Sequence, residues 1–242
     1  MKPLYFLILT TLIGQLGAQN KSNGSNSGNF DRLQIGMVVS PDFCFRTLKN
    51  NDGSATSDNV ISARNEQETP KIGYTAGVNV CYNINTNFGI ESGIQYSNKG
   101  YQTKIEYLIF GGPGIFEPIE TNNRYNFHCI DIPLKLNFAA ATGNVRFISS
   151  LGITTNFFGK ETQIRYFYYP NRTDKSSGPT GFDYNDVNIS PTVSVGIDYK
   201  IKDGMNLRIE PAFRYTILKI IDSPVSGYLY SGGINVGYYV GF

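Results

Sequence analysis

The sequence predicts an all-β fold, an eight-stranded antiparallel transmembrane β-barrel with short periplasmic turns and long extracellular loops. Three observations carry this expectation. From Tyr228 to Phe242 the chain alternates almost without fault: Tyr228, Tyr230, Gly232, Ile234, Val236, Tyr238, Val240 and Phe242 share one face, and Leu229, Ser231, Gly233, Asn235, Gly237, Tyr239 and Gly241 the other. Similar alternation recurs in seven earlier segments, and the connections between segments are short and long by turns. An apolar, Tyr-rich face backed by a small or polar one suits a strand with lipid on one side and a wet interior on the other.

The N-terminus reads as a secretory signal, residues 1–19. Lys2 supplies the positive start, Leu4 to Ile13 the apolar run, and Leu16-Gly17-Ala18 the small residue before the cut. The run is too short to span a bilayer, which takes about 20 apolar residues. Residues 20–31, rich in Ser, Asn and Gly, have nothing to bury and read as a flexible periplasmic leader. The barrel domain is expected over 32–242. A net charge of +2 in 242 residues, or +1 without Lys2, gives no electrostatic case for a nucleic-acid partner.

The first strand runs from Leu33 to Phe45, with Leu33, Ile35, Met37, Val39, Phe43 and Phe45 on one face. The second sets Ile72, Tyr74, Ala76, Val78, Val80, Tyr82 and Ile84 against Lys71, Gly73, Thr75, Gly77, Asn79, Cys81 and Asn83. In the third, Phe88, Ile90, Ile94 and Tyr96 oppose Gly89, Glu91, Gly93, Gln95 and Lys99. The fourth opposes Ile130, Ile132, Leu134, Leu136 and Phe138 to Asp131, Pro133, Lys135 and Asn137. The fifth is the least tidy, with Val145, Phe147, Leu151, Ile153 and Phe157 against Arg146, Gly152, Thr154 and Asn156. The sixth covers Val187 to Ile201, the seventh Leu207 to Ile217, and the last is the Tyr-rich strand above. Period-2 patterning of this length and quality is the primary strand signal.

Asn85-Thr86-Asn87, Ala141-Thr142-Gly143-Asn144 and Asp203-Gly204 are tight turns, and Asp-Gly suits a two-residue hairpin. The other connections, about 47–70, 102–124, 160–186 and 219–227, are longer. An even strand number puts both termini on the turn side. Tyr82, Phe88, Phe138, Phe147, Tyr199, Tyr238 and Phe242 cluster near the turn ends, and Tyr74, Tyr96, Phe157, Tyr215, Tyr228 and Tyr230 toward the loops. Two aromatic girdles flanking an aliphatic band are expected where amphipathic rings settle at headgroup level. The main rival is a soluble eight-stranded barrel whose apolar face surrounds a ligand. Charge and glycine on the polar face favour the membrane form, with Glu91, Asp131, Lys135, Arg146, Asp198, Arg208, Glu210 and Arg214 as a self-neutralising interior network.

On these residues the chain resembles the PorT-like outer-membrane β-barrel family of Gram-negative bacteria. The run Ile130-Asp131-Ile132-Pro133-Leu134-Lys135-Leu136 looks like that family's acidic-apolar-Pro-Leu-x-Leu signature. Leu151-Gly152-Ile153 sits where the family has a Gly-containing strand, and Gly237-Tyr238-Tyr239-Val240-Gly241-Phe242 is similar to its terminal strand. The resemblance, over about 33–242, implies an integral outer-membrane barrel and does not tie this chain to secretion.

Chemistry is sparse, and no enzyme is expected. The one histidine, His128, lies at the loop end of the fourth strand on the lipid-facing register, with Ile130 where rim lipases carry serine. A lone histidine with scattered carboxylates offers no metal-ligand spacing, so neither metal nor cofactor is expected. Cys44, Cys81 and Cys129 all fall on the polar face and read as small buried side chains. An eight-stranded interior is just wide enough for side chains to fill, which favours a closed core over a narrow channel for solutes or ions. The outer loops are then the best binding surface. The third loop is the most suggestive: Arg165, Tyr166, Phe167, Tyr168, Tyr169 and Arg172, followed by Phe182 and Tyr184, combine the residue types of binding hot spots. Alternatively, the fifth strand continues above the membrane and those rings pack on Phe182 and Tyr184. The second loop, Tyr107 to Pro113, is apolar enough to cap the mouth, and the first, rich in Asn, Ser and Asp, is expected to be mobile. Outer-membrane lipid and an envelope protein are the expected partners.

Overall fold

The computed structural model describes residues 31–108, 117–140 and 143–242. The expected signal peptide, residues 20–30 of the expected leader, and residues 109–113 of the expected loop cap lie outside the described residues.

The elements are β1 (Leu33–Asn50), α1 (Ala55–Gln67), β2 (Glu68–Asn83), β3 (Phe88–Thr103), β4 (Glu106–Tyr107), β5 (Glu120–Ala140), β6 (Val145–Tyr168), β7 (Thr173–Gly178), β8 (Val187–Lys202), β9 (Met205–Tyr215) and β10 (Val225–Gly241). Among the described residues, β5, β3, β2, β1, β10, β9, β8 and β6 pair in that order, and β6 returns to β5 to close the ring. Every pairing is antiparallel. Closure removes the free sheet edges that an open sheet would expose in lipid, where no water satisfies them. The short strands β4 and β7 add to β5 and β6 above the ring.

Alternation decides the two surfaces. Met37, Ile72, Ile94, Leu134, Leu136 and Leu151 are exposed on the outside, while Asn79, Glu91, Asp131, Asp198 and Glu210 are fully buried inside. A soluble barrel with an apolar lumen has the opposite polarity, so that rival is set aside by the direction of the side chains. The expected interface aromatics Tyr74, Tyr82, Phe88, Tyr96, Phe138, Tyr199, Tyr215, Tyr238 and Phe242 have solvent-accessible rings on this outer wall. Several pair across strands: Phe88 with Phe138 (centroids 5.1 Å) and Tyr74 with Tyr96 (5.9 Å). On the turn side, Asp203-Gly204 reverses the chain between β8 and β9, and Gly204 has φ +74°, a conformation that costs glycine little.

One large ring enters the lumen. Tyr239 of β10 is 1% exposed, and a Cβ on Gly36 or Gly237 would fall 2.5 or 2.6 Å from its ring carbons. These two glycines are therefore the floor and wall of a slot for one aromatic side chain.

Two expectations are corrected. The fourth strand does not begin at the membrane rim, while the fifth continues above it, as the alternative for the third loop expects. β5 begins at Glu120 and β6 continues to Tyr168, paired from Glu120↔Tyr168 through Asn126↔Thr162. Above the rim both faces meet water, so apolar alternation is no longer required and the sequence signal fades. The first loop is not simply a mobile polar segment. It carries α1, capped by Ser54, whose side chain accepts from the Ser57 N–H, with Asp58 in the first turn and Arg64 in the last. Local cap chemistry and the helix dipole favour this helix, while Val60 and Ile61 form no apolar stripe that would have signalled it.

Candidate functional site

The lumen is filled in layers. Toward the turn side, Glu91 accepts from Lys135 Nζ (2.7 Å) and Arg208 Nη1 (2.7 Å), with Asn79, Asn137 and the Tyr239 hydroxyl completing its shell. The Arg208 guanidinium also lies 4.3 Å over the Tyr239 ring and reaches Asp198 at 3.8 Å. Asp198 pairs in addition with Arg146, whose side chain is partly exposed. In the middle, Arg214 donates to Asp42 (3.2 Å) and to Asn235 (2.6 Å), and Lys99 pairs with Asp131 at 2.9 Å.

All eight expected interior residues face the lumen, and Arg208 of β9 meets both Glu91 and Asp198. Asp131 meets Lys99 rather than an arginine of β9, and Arg214 meets Asp42, a residue not foreseen. Glu210 has no ion pair among the described residues and instead accepts from the Ser150 and Ser194 hydroxyls (3.0 and 3.1 Å). Between these layers the central cavity measures about 10 Å³, no more than the room one water takes.

Above the charged layers sits an apolar floor. Tyr101, Phe127 and Leu229 are buried together, with Tyr125, Phe158, Tyr184 and Ile220 packed against them. Phe127 meets Tyr184 edge-on (5.2 Å, 88°), a favoured aromatic geometry. Only about 30 Å³ remains open beneath this floor. His128 lies outside it on the wall, stacked at 6.0 Å on Tyr96 and sharing a hydrogen bond with that hydroxyl. Cys44, Cys81 and Cys129 are free and buried.

On the floor opens a vestibule of about 550 Å³. Its walls come from separate loop-side segments: Arg46 of β1, Arg64 of α1, Glu68 of β2, Tyr101 of β3, Tyr125 of β5 and the 182–184 and 220–225 connections. Glu68 accepts from Arg46 Nε and Arg64 Nε, each at 2.7 Å. Arg46 is otherwise spent on Asn65 (2.6 Å) and the Arg64 carbonyl (3.1 Å), which ties the end of α1 to the barrel wall. Arg64 Nη2 donates to the Tyr101 hydroxyl at 3.1 Å. Arg64 belongs to α1, and Glu68, Tyr101 and Tyr125 lie loop-side of Tyr74, Tyr96 and His128 on their strands. Burial is the largest influence on Arg64 and lowers its pKa, but the hydrogen bond it donates to Glu68, together with the charge interactions with Tyr101, Glu68 and Tyr125, outweighs burial and holds the pKa above the ordinary value. Burial pushes the Tyr101 and Tyr125 phenols up.

The expected third-loop surface is divided. Arg165 to Tyr168 lie on β6 in a hairpin with β7, where Tyr166 stacks on Tyr168 (6.4 Å) and Arg172 covers Tyr169 (4.4 Å). Phe182 instead packs on Tyr184 (6.3 Å, 79°) at the vestibule wall. The strand does continue above the membrane, yet the hairpin rings and the vestibule rings form separate aromatic groups. Sequence reasoning missed Asp42, Arg46, Arg64 and Glu68. Asp42 and Arg46 fall on the inner parity of β1, two residues either side of Cys44; Asp42 lies within the expected strand, and extending that strand by one residue would have found Arg46.

No curated protein matches the sequence. Among solved structures, the chain is similar to Neisserial surface protein A (11% identity, TM-score 0.44, 87% of this chain and 97% of that one). It is similar also to OprG from Pseudomonas aeruginosa (13%, TM-score 0.43, 87% and 95%) and to Ail from Yersinia pestis (9%, TM-score 0.36, 87% and 99%). The family model of the outer membrane protein beta-barrel domain matches residues 18–218, most of the chain. With that match and a closed antiparallel ring that is apolar outside and charged inside, the chain belongs to the outer membrane protein beta-barrel domain family.

Proposed function

We propose that this protein is an eight-stranded barrel of a Gram-negative outer membrane that works by binding or scaffolding and neither conducts nor catalyses. The observation that carries the reading is the layered closure of the lumen. Glu91, Arg208 and Lys135 fill the bore on one level, Tyr101, Phe127 and Leu229 on another, and the cavities between measure about 10 and 30 Å³. A hydrated ion would have to break buried ion pairs and part an apolar floor, each costing several kcal/mol. The connections 203–204 and 84–87 would face the periplasm and the vestibule side the exterior. In this reading residues 1–19 direct export, and the strand-borne run Ile130 to Leu136 supports a PorT-like subgroup.

The surfaces left to act are the vestibule, the β6–β7 hairpin and the turn-side rim. An envelope protein partner is the expected scaffold target, with outer-membrane lipid against the wall. Planar-bilayer recording tests the closure: the reading expects no steady openings. Openings that are lost on changing Arg214 or Glu210 would establish the narrow channel instead. Crosslinking in intact envelopes should recover a stoichiometric partner.

A further inference from the structure

We propose that the vestibule is a binding site for a neutral saccharide, which deepens the binding reading above and rests on it. The first argument is that the site is a dead end. Its floor of Tyr101, Phe127 and Leu229 is buried and closed, so a solute entering from outside has nowhere to pass. Its volume of about 550 Å³ falls in the range of small-ligand pockets, roughly 300–1,000 Å³.

The second argument is the pairing of rings with hydrogen-bonding groups. Tyr101 and Tyr125 lie together on one wall (centroids 4.8 Å, 30°), while Phe182 and Tyr184 stand on another. Phe182 is 63% exposed, so its ring is open to whatever enters the vestibule. A pyranose ring presents C–H faces that lie against aromatic faces and an equator of hydroxyls that both donate and accept. The donors and acceptors are present. Arg64 Nη1 has no partner among the described residues, because its fork is committed through Nε and Nη2 to Glu68 and Tyr101. Asp183 likewise has no ion pair among the described residues and lines the same vestibule.

Charge balance selects a neutral ligand. In the lining Arg46 and Arg64 stand against Glu68, Asp183 and Asp222, and Lys219, outside the lining, pairs with Asp222 at 2.5 Å, which brings the group to no net charge. An anionic ligand would face Asp183 and Asp222, and a cationic one would face two arginines sharing one carboxylate. A polyhydroxylated, uncharged molecule meets groups of either sign without leaving a charge unpaired.

The test uses the full chain in phospholipid nanodiscs, because glucoside and maltoside detergents would themselves occupy such a site. Maltotriose, cellotriose, N-acetylchitotriose and a heparin oligosaccharide are titrated by calorimetry and by saturation-transfer NMR. At least one neutral trisaccharide should bind, and Phe182→Ala and Arg64→Gln should each weaken it by about tenfold or more. Tyr168→Ala, on the separate hairpin, should leave it unchanged, and so should raised salt. Binding lost with Tyr168→Ala but kept with Phe182→Ala would move the site and overturn the proposal. So would binding of the heparin probe alone, or of no probe. If a protein partner is still captured in envelopes, those results remove the saccharide and leave the wider binding reading standing. Steady conductance would instead remove the wider reading.

Discussion

Two glutamates in this barrel each sit under two cations, one deep in the bore and one at the mouth. Glu91 is fully buried beneath Lys135 and Arg208, both of which are also buried, and its oxygens are met by these two and by Asn79, Asn137 and Tyr239. Glu68 holds Arg46, which is equally hidden, but also Arg64, whose side chain is 31% exposed and keeps one nitrogen free of described partners. The same three-group arrangement is closed in one place and open in the other. In the closed place it fills space and fixes register between β3, β5 and β9. In the open place it anchors α1 to β1 and still presents a donor to whatever enters.

The largest expected effect lies in the bore. Glu91→Leu strands two buried cations and should cost about 3–5 kcal/mol, read as a fall in the urea midpoint of the lipid-reconstituted barrel. The triple change Glu91→Leu, Lys135→Met, Arg208→Met removes all three charges and should recover most of that loss. If the triple variant is no better than the single one, Glu91 matters for its hydrogen bonds to Asn79, Asn137 and Tyr239 and not for charge pairing. Next in size is Glu68→Gln at the mouth, at about 2 kcal/mol. Arg46 keeps Asn65 and the Arg64 carbonyl, and Arg64 can turn to water. Equal costs at the two sites would erase the distinction between the closed and open arrangements.

This contrast also marks what the sequence makes legible. Within the membrane, lipid enforces period 2, so Ile130-Asp131-Ile132-Pro133-Leu134-Lys135 announces its faces without help. The interior membership of Glu91, Asp131 and Arg208 follows from that parity alone. Their pairing does not, because which cation meets which acid depends on stagger around the ring, and Asp131 finds Lys99 of β3 rather than β9. Outside the membrane the constraint vanishes. Asn122, Asn123 and Arg124 of β5 show no alternation, yet they pair with β6. The vestibule is harder still, being assembled from seven segments whose convergence only closure of the ring reveals.

A smaller effect tests whether α1 is part of the mouth or merely attached to it. Ser54→Ala removes the cap that accepts from the Ser57 N–H, a loss of about 1 kcal/mol. The loss should appear as faster amide exchange over residues 55–63, with the residues tied through Arg64, Asn65 and Glu68 protected as before. A urea midpoint that falls as far as for Glu68→Gln would mean the whole helix, not its last turn, supports the barrel.

The smallest effect is expected at Arg172, another arginine that rests on a tyrosine. Arg172 lies over Tyr169 and pairs with Asp174 at 3.0 Å, a geometry as good on its face as that of Arg64. Its side chain is 60% exposed and Asp174 50%, however, so water and salt screen the pair and two mobile side chains must be held still to make it. Arg172→Ala should leave the urea midpoint unchanged, at low salt and high. If it shifts the midpoint as much as Arg64→Gln does, depth below the rim is not what separates a structural ion pair from a decorative one, and the ranking of the two glutamates needs another cause.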